Sequence, residues 1–173
     1  GLWGFAFDLI GLRDTINYFQ GQSEANYLAE TDPEMWAKTD KFVFLSGYLT
    51  YKMTGQLVDS LASQVGFVPF DYKGLKWAGP GDWKWQALPP IMPNLLPPLV
   101  APGELLGHIS AEAAQQTGLP EGLPMIASAA DKATEVLGAG CLTPDIACLS
   151  FGTTATVNTT QFKYYEVIPL VPP

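Results

Sequence analysis

Short apolar runs alternate with helix-like stretches after Pro102, and this alternation constrains the fold more than any other feature of the sequence. Residues 104–109 predict a short strand. Ser110 can cap a helix over residues 111–117, and Gly118 can end it. Strands that alternate with helices in this way favour an α/β fold.

The alternation continues towards the end of the chain. Residues 125–127 predict a buried strand, and residues 132–137 predict a helix that ends near a glycine pair. Residues 146–151 and 154–158 predict two strands joined by a tight turn at Gly152. A strand, a helix and a hairpin are therefore expected in succession.

The first third of the chain predicts helices instead. Asp32 can cap a helix that starts at Pro33, because proline suits the first turn. Thr31 with Glu34 offers an alternative capping box. Apolar residues then recur at roughly helical spacing up to Gly55, which can end the helix: Phe42, Val43, Leu45, Leu49 and Met53.

Residues 66–102 separate these two regions and are broken by glycine and proline. They predict irregular connections with one or two short helices. Leu, Ile and Val lie between the prolines, which favours packed loops over a proline-rich ligand motif. The aromatic residues of the helical region favour packing over a ligand cage: Trp36, Phe42, Phe44, Tyr48 and Tyr51.

Composition argues against several classes of function. Apolar residues make up 47% and charged residues 15% of the 173-residue chain, which indicates a globular protein. The net charge of −8 argues against nucleic acid and against an anionic membrane surface as partners. A single His, and two cysteines outside any CxxC pair, argue against a zinc site. Cys141 and Cys148 instead predict buried thiols, which fits a reducing cytoplasm.

The two ends of the sequence predict a piece of a longer protein. Residues 1–12 are apolar, but Asp8 interrupts them and no basic segment precedes them. This argues against a signal peptide or a membrane span. There is no initiator Met, and the chain ends on Val171-Pro172-Pro173, as if within a loop.

Asp131 is the first candidate for chemistry. It lies between the strand and the helix expected on either side, after three small residues. Ligands of open α/β sheets bind at the carboxyl ends of strands, where a carboxylate can accept a proton from a hydroxyl nucleophile. The structural alternative is a helix N-cap, for which Asp is favoured without any catalytic role.

The second candidate is the turn formed by residues 150–154, Ser-Phe-Gly-Thr-Thr. A tight turn lets backbone N–H groups and a hydroxyl point at one anion, and Gly152 allows the backbone to approach closely. A plain hairpin turn is the structural alternative. Residues 138–140, Gly-Ala-Gly, do not fit a dinucleotide-binding loop, because they follow a helix rather than a strand.

Several segments, in order, resemble the FGGY family of carbohydrate kinases. Residues 125–140, MIASAADKATEVLGAG, resemble its strand–Asp–helix segment, and residues 148–153, CLSFGT, resemble its Gly-Thr phosphate turn. Residues 45–55 resemble its helix ending in Leu-Thr-Gly, and residues 96–107 resemble the loop before its small strand.

The resemblance implies two ribonuclease-H-like domains of the actin and hexokinase type, with a cleft between them. The expected fold class is α/β, a partial, helix-rich domain of this type followed by the first strands of a second one. Residues 1–145 would form the second part of the N-terminal domain, and residues 146–173 would begin the C-terminal domain.

The resemblance also implies transfer of the γ-phosphate of ATP to a sugar or polyol hydroxyl, with Mg²⁺ neutralising charge. Asp131 matches the base that deprotonates the hydroxyl. Gly152 and Thr153, followed by Thr154, match the turn at the ATP phosphates. The implied partners are a small sugar or polyol and the rest of the protein's own chain, and a homodimer is compatible with the resemblance. The family's first phosphate hairpin is absent, so the piece alone is expected to be inactive.

Lys132 and Thr154 depart from the family pattern. Glycerol and xylulose kinases carry an amide where this chain has Lys132, and a small residue where it has Thr154. Lys132 could contact an acidic substrate or pair with Glu135 on the helix surface, and we favour the pair. Two alternatives stay open, a non-catalytic carbohydrate- or partner-binding protein of the same fold and an actin-like or chaperone-like ATPase.

Overall fold

The computed structural model describes residues 2–9, 11–66, 68–153 and 155–166. Its first third is helical, as the sequence predicts. The helices of this part are α1 (Leu2–Leu9), α2 (Arg13–Gln22), α3 (Glu24–Thr31), α4 (Pro33–Ala37) and α5 (Leu45–Thr54). Within the described ranges, no helix is both long enough and apolar enough to span a membrane.

Local hydrogen bonds decide where these helices begin and end. Asp32 Oδ1 accepts a hydrogen bond from the Met35 N–H at 3.0 Å, which confirms the predicted cap of α4. Thr31 belongs to α3, and its hydroxyl donates to the Tyr27 carbonyl at 2.8 Å, so the alternative capping box is wrong. Gly55 ends α5 in the left-handed conformation with φ of 75°, as predicted.

The helix over positions 42–53 is predicted too long at its N-terminal end, because α5 begins at Leu45. The Phe42 N–H donates to the Leu95 carbonyl at 2.8 Å, which takes that N–H away from a helical partner. The ring of Phe42 also packs against the core. A tertiary contact therefore overrides the helical spacing of Phe42 and Val43.

The described strands form four pairs. β1 (Asp59–Ser60) lies parallel to β4 (Leu99–Val100), and the other three pairs are antiparallel. These are β2 (Phe70–Asp71) with β3 (Lys76–Trp77), β5 (Leu105–His108) with β6 (Pro124–Ile126), and β7 (Ala147–Phe151) with β8 (Ala155–Thr159). Helix α6 (Ala111–Thr117) follows β5, and helix α7 (Asp131–Gly138) follows β6.

The second half of the chain follows the sequence prediction closely. Ser110 Oγ accepts a hydrogen bond from the Ala113 N–H at 3.1 Å, and Gly118 ends α6. The described part of residues 66–102 contains two short 3₁₀ helices, Trp83–Ala87 and Pro93–Leu95. The strand expected at 125–127 forms as Pro124–Ile126. It is not buried as predicted, since Ile126 is 50% exposed, whereas Ala127, just after the strand, is buried.

The main core lies among α2, α3 and the residues from 87 to 96. Its buried members are Phe19, Ala25, Ala87, Leu88, Ile91 and Leu96. Trp36 and Phe42 pack against it, as predicted, whereas Tyr48 and Tyr51 are largely exposed. The two cysteines are buried free thiols, which confirms that prediction.

Helix α5 packs through its small residues. Gly47, Thr50 and Thr54 are buried, and they bring the helix against β1 and β5. Gly107 of β5 comes so close that a Cβ atom there would lie 2.8 Å from the Thr54 Cβ. Glycine at this position therefore lets β5 reach the helix.

Candidate functional site

The candidate site surrounds the N-terminal end of α7. Asp131 is the first residue of this helix, and Ala130 occupies the cap position. The interpretation of Asp131 as the helix cap is therefore wrong, because the backbone turns into the helix one residue earlier than the sequence indicates. One carboxylate oxygen of Asp131 accepts a hydrogen bond from the Lys132 N–H at 2.7 Å, and the side chain is exposed.

A cavity of about 560 Å³ opens beside this carboxylate. That volume falls within the range of small-molecule sites, and the walls combine apolar side chains with a few polar ones. Polar side chains line it from α7, from the segments after β1 and after β2, and from β8. The polar and charged members of the lining are Gln64, Tyr72, Asp131, Lys132, Asn158 and Thr159.

Tyr72 is one of the residues that line the cavity. Its hydroxyl donates a hydrogen bond to the Gln64 carbonyl at 3.1 Å. Burial raises the pKa of Tyr72 to about 12.

Lys132 joins α7 to the hairpin formed by β7 and β8. Its Nζ lies 2.8 Å from a carboxylate oxygen of Glu135 and 2.9 Å from the hydroxyl of Ser150 on β7. The predicted surface pair with Glu135 is therefore confirmed. The hydrogen bond between them raises the pKa of Lys132 and lowers the pKa of Glu135.

The predicted phosphate turn lies at the tip of the β7–β8 hairpin. The strand ladder closes with Phe151 opposite Ala155, and Gly152 and Thr153 follow Phe151 in an exposed turn. Thr154, the third residue predicted for the turn, lies outside the described residues. The structure thus brings α7 and β7 together through Lys132, with the exposed Gly152-Thr153 turn just beyond Ser150.

Sequence reasoning missed the segment that supports the loop before Asp131. Asp59 is only 2% exposed, and its carboxylate accepts hydrogen bonds from the Ser46 hydroxyl at 2.7 Å and the Gln64 side-chain amide at 2.9 Å. Ser60 is equally buried. The available signal was a run of polar residues, Asp59, Ser60, Ser63 and Gln64, soon after a helix that ends in glycine.

The chain belongs to the FGGY family of carbohydrate kinases, because residues 12–138 match the N-terminal domain of that family. This match confirms the family resemblance found in the sequence.

The chain is similar to several sugar kinases. It is 41% identical over 114 residues to the uncharacterized sugar kinase YgcE of Escherichia coli K12, covering 62% of this chain and 22% of YgcE. The xylulose kinase structure from Lactobacillus acidophilus matches with a TM-score of 0.67 and 21% identity, over 79% of this chain and 27% of that one. The gluconate kinase structure from the same species matches with a TM-score of 0.70 and 20% identity, over 89% of this chain and 32% of that one.

These matches confirm a mixed α/β fold of the kind found in xylulose and gluconate kinases. The chain spans about a quarter of the length of YgcE and of the xylulose kinase.

Proposed function

We propose that the whole protein containing this chain is an ATP-dependent carbohydrate kinase that phosphorylates a sugar or polyol hydroxyl. The observation that carries the proposal is the exposed Asp131 carboxylate at the start of α7, beside a cavity of about 560 Å³. Membership of the FGGY family supports it.

In this proposal, Asp131 accepts the proton of the hydroxyl that attacks the γ-phosphate. A carboxylate suits this role because it takes the hydroxyl proton as the new P–O bond forms and the bond between the γ-phosphorus and the bridging oxygen breaks, which releases ADP. Among the described residues that line the cavity, Asp131 is the acidic one. Asp131 is the first residue of α7, and one of its carboxylate oxygens accepts the hydrogen bond from the Lys132 N–H. The other carboxylate oxygen is left available to substrate.

Gly152 and Thr153 are proposed to contact the ATP phosphates. The turn is exposed, and glycine allows its backbone to approach an anion closely. We also propose Thr154 for this role, as the sequence predicts. Mg²⁺ takes oxygen ligands from phosphates and one or two carboxylates, and it would neutralise phosphate charge. We assign no residue of this chain to the metal.

Lys132 is proposed as a substrate contact at the edge of the cavity. Its ammonium is held by Glu135 and Ser150 but remains exposed, so a substrate oxygen can still reach it. The similarity to a gluconate kinase makes sugar acids worth including among the substrates tested.

We further propose the domain division that the sequence predicts. Residues 1–145 would complete the N-terminal domain, and residues 146–173 would begin the C-terminal one. The family match over residues 12–138 supports the first part.

ADP release by the whole protein, measured with a panel of sugars, polyols and sugar acids, tests the proposed function. Substrate-dependent release is the expected result. Binding of a sugar without any ADP release would instead support the non-catalytic protein of the same fold. No binding and no release across the panel would contradict both.

A further inference from the structure

The loop that leads into Asp131 is held by the end of β1 and the residues directly after it. The Ser60 hydroxyl donates a hydrogen bond to the Ser128 carbonyl. The Ala130 N–H donates to the Ala62 carbonyl at 2.9 Å. Two hydrogen bonds therefore fix the backbone directly before the proposed base.

The segment that makes these bonds is itself held by a buried network. The Asp59 carboxylate accepts hydrogen bonds from Ser46, Gln64 and the Ser60 N–H, the last at 2.8 Å. Gln64 also donates to the Ser60 carbonyl at 2.9 Å. Because the described donors to Asp59 are neutral, the network holds its geometry through several hydrogen bonds rather than one ion pair.

Ser60 occupies the junction of the network and the loop. It is 2% exposed, so substrate cannot reach its hydroxyl. That hydroxyl also accepts a hydrogen bond from the Ala62 N–H at 3.3 Å, which orients it within the turn.

We propose that Ser60 is a positioning residue for Asp131, acting through the backbone of residues 128–130. This inference rests on the proposed function. Removal of the hydroxyl would free the Ser128 carbonyl and let the carboxylate shift, and a shift of about 1 Å can cost about 100-fold in rate.

The test compares Ser60→Ala with Ser110→Ala in the whole protein. Ser110 caps α6 through the Ala113 N–H, so its loss removes a structural hydrogen bond away from the cavity. Ser60→Ala should lower kcat at least about tenfold, within the reach of such a misplacement. The KM for ATP should change less than about twofold, since the turn at Gly152 is untouched. Ser110→Ala should lower Tm without lowering kcat.

A double variant separates positioning from general destabilisation. In an Asp131→Asn background, Ser60→Ala should lower kcat no further, because both changes act on the same base. The inference is overturned if the two effects multiply, or if Ser60→Ala lowers kcat no more than Ser110→Ala does. Should Ser60→Ala fail to fold, Ser60→Cys replaces it under the same criteria, because a thiol is a weak donor of similar size.

Failure of this inference differs from failure of the proposed function. A fully active Asp131→Asn variant contradicts the kinase proposal whatever Ser60 does. An inactive Asp131→Asn variant with a fully active Ser60→Ala variant contradicts only the role of Ser60.

Discussion

The two sides of the candidate site are built in different ways. On the side that supports Asp131, Asp59 and Ser60 are each 2% exposed and share a network of hydrogen bonds. On the other side, the β7–β8 hairpin leaves Phe151 80% and Val157 70% exposed. The proposed base therefore follows a loop that buried hydrogen-bonded residues hold in place. The proposed phosphate turn instead lies on a hairpin with exposed apolar side chains.

The largest effect is expected from Asp131→Asn, which tests whether the Asp131 carboxylate is the catalytic base. The variant should lose about 10²–10⁴-fold in kcat, because an amide cannot accept the proton. Because the Asn side-chain oxygen can still accept the hydrogen bond from the Lys132 N–H, Tm should change little. Steady-state kinetics and thermal unfolding of the whole protein measure both.

Glu112→Gln is the matched control, because it makes the same carboxylate-to-amide change on α6, at a residue that does not line the cavity. It should keep kcat. Equal losses in the two variants would contradict a specific role for Asp131.

Thr153→Val tests whether the turn at the tip of the β7–β8 hairpin contacts the ATP phosphates. Loss of a hydrogen bond to a charged phosphate should weaken ATP use by about 1–3 kcal/mol while leaving the KM for the sugar unchanged. Kinetics with ATP and sugar varied separately measure this. Thr156→Val on β8 is the control, and a change confined to the sugar KM would contradict the assignment.

Gly107→Ala tests how closely β5 packs against α5. The added Cβ would lie 2.8 Å from the Thr54 Cβ, so overpacking should lower the free energy of unfolding by about 1–3 kcal/mol. Denaturant unfolding measures the change. Gly138→Ala is the control, because nothing lies within 4 Å of the added Cβ, and an equal loss there would contradict the argument.

The smallest effect is expected from Lys132→Met. The hydrogen bond from Lys132 lowers the pKa of Glu135, so its loss should raise that pKa towards the ordinary value. The pair stabilises the fold above the unfolded-state pKa of Glu135, and this contribution is lost as pH falls through its folded-state pKa. NMR titration of the Glu135 carboxyl measures the shift, and an unchanged pKa would show that Lys132 does not set it.

The sequence predicted the elements that depend on local chemistry. Asp32, Ser110 and Gly118 cap helices where expected, because a cap needs only a side chain or a glycine and the adjoining backbone. The predicted start of α5 was wrong, because Phe42 bonds to Leu95, far along the chain.

The candidate site shows the same division. Asp131 and the Gly152 turn stand in recognisable local patterns, and the sequence alone identified both as candidates. The Asp59–Gln64 network was missed, because its meaning depends on residues 46 and 128, which only the tertiary fold brings close.

The pairing of β7 with β8 has a consequence for handling the isolated chain. Within the described residues, each strand pairs only with the other, so each has an outer edge of backbone groups without a neighbouring strand. Leu149, Phe151 and Val157 add exposed apolar surface to this hairpin. Open edges with apolar side chains are templates for strand addition between molecules. The 173-residue chain on its own is therefore expected to self-associate as its concentration rises.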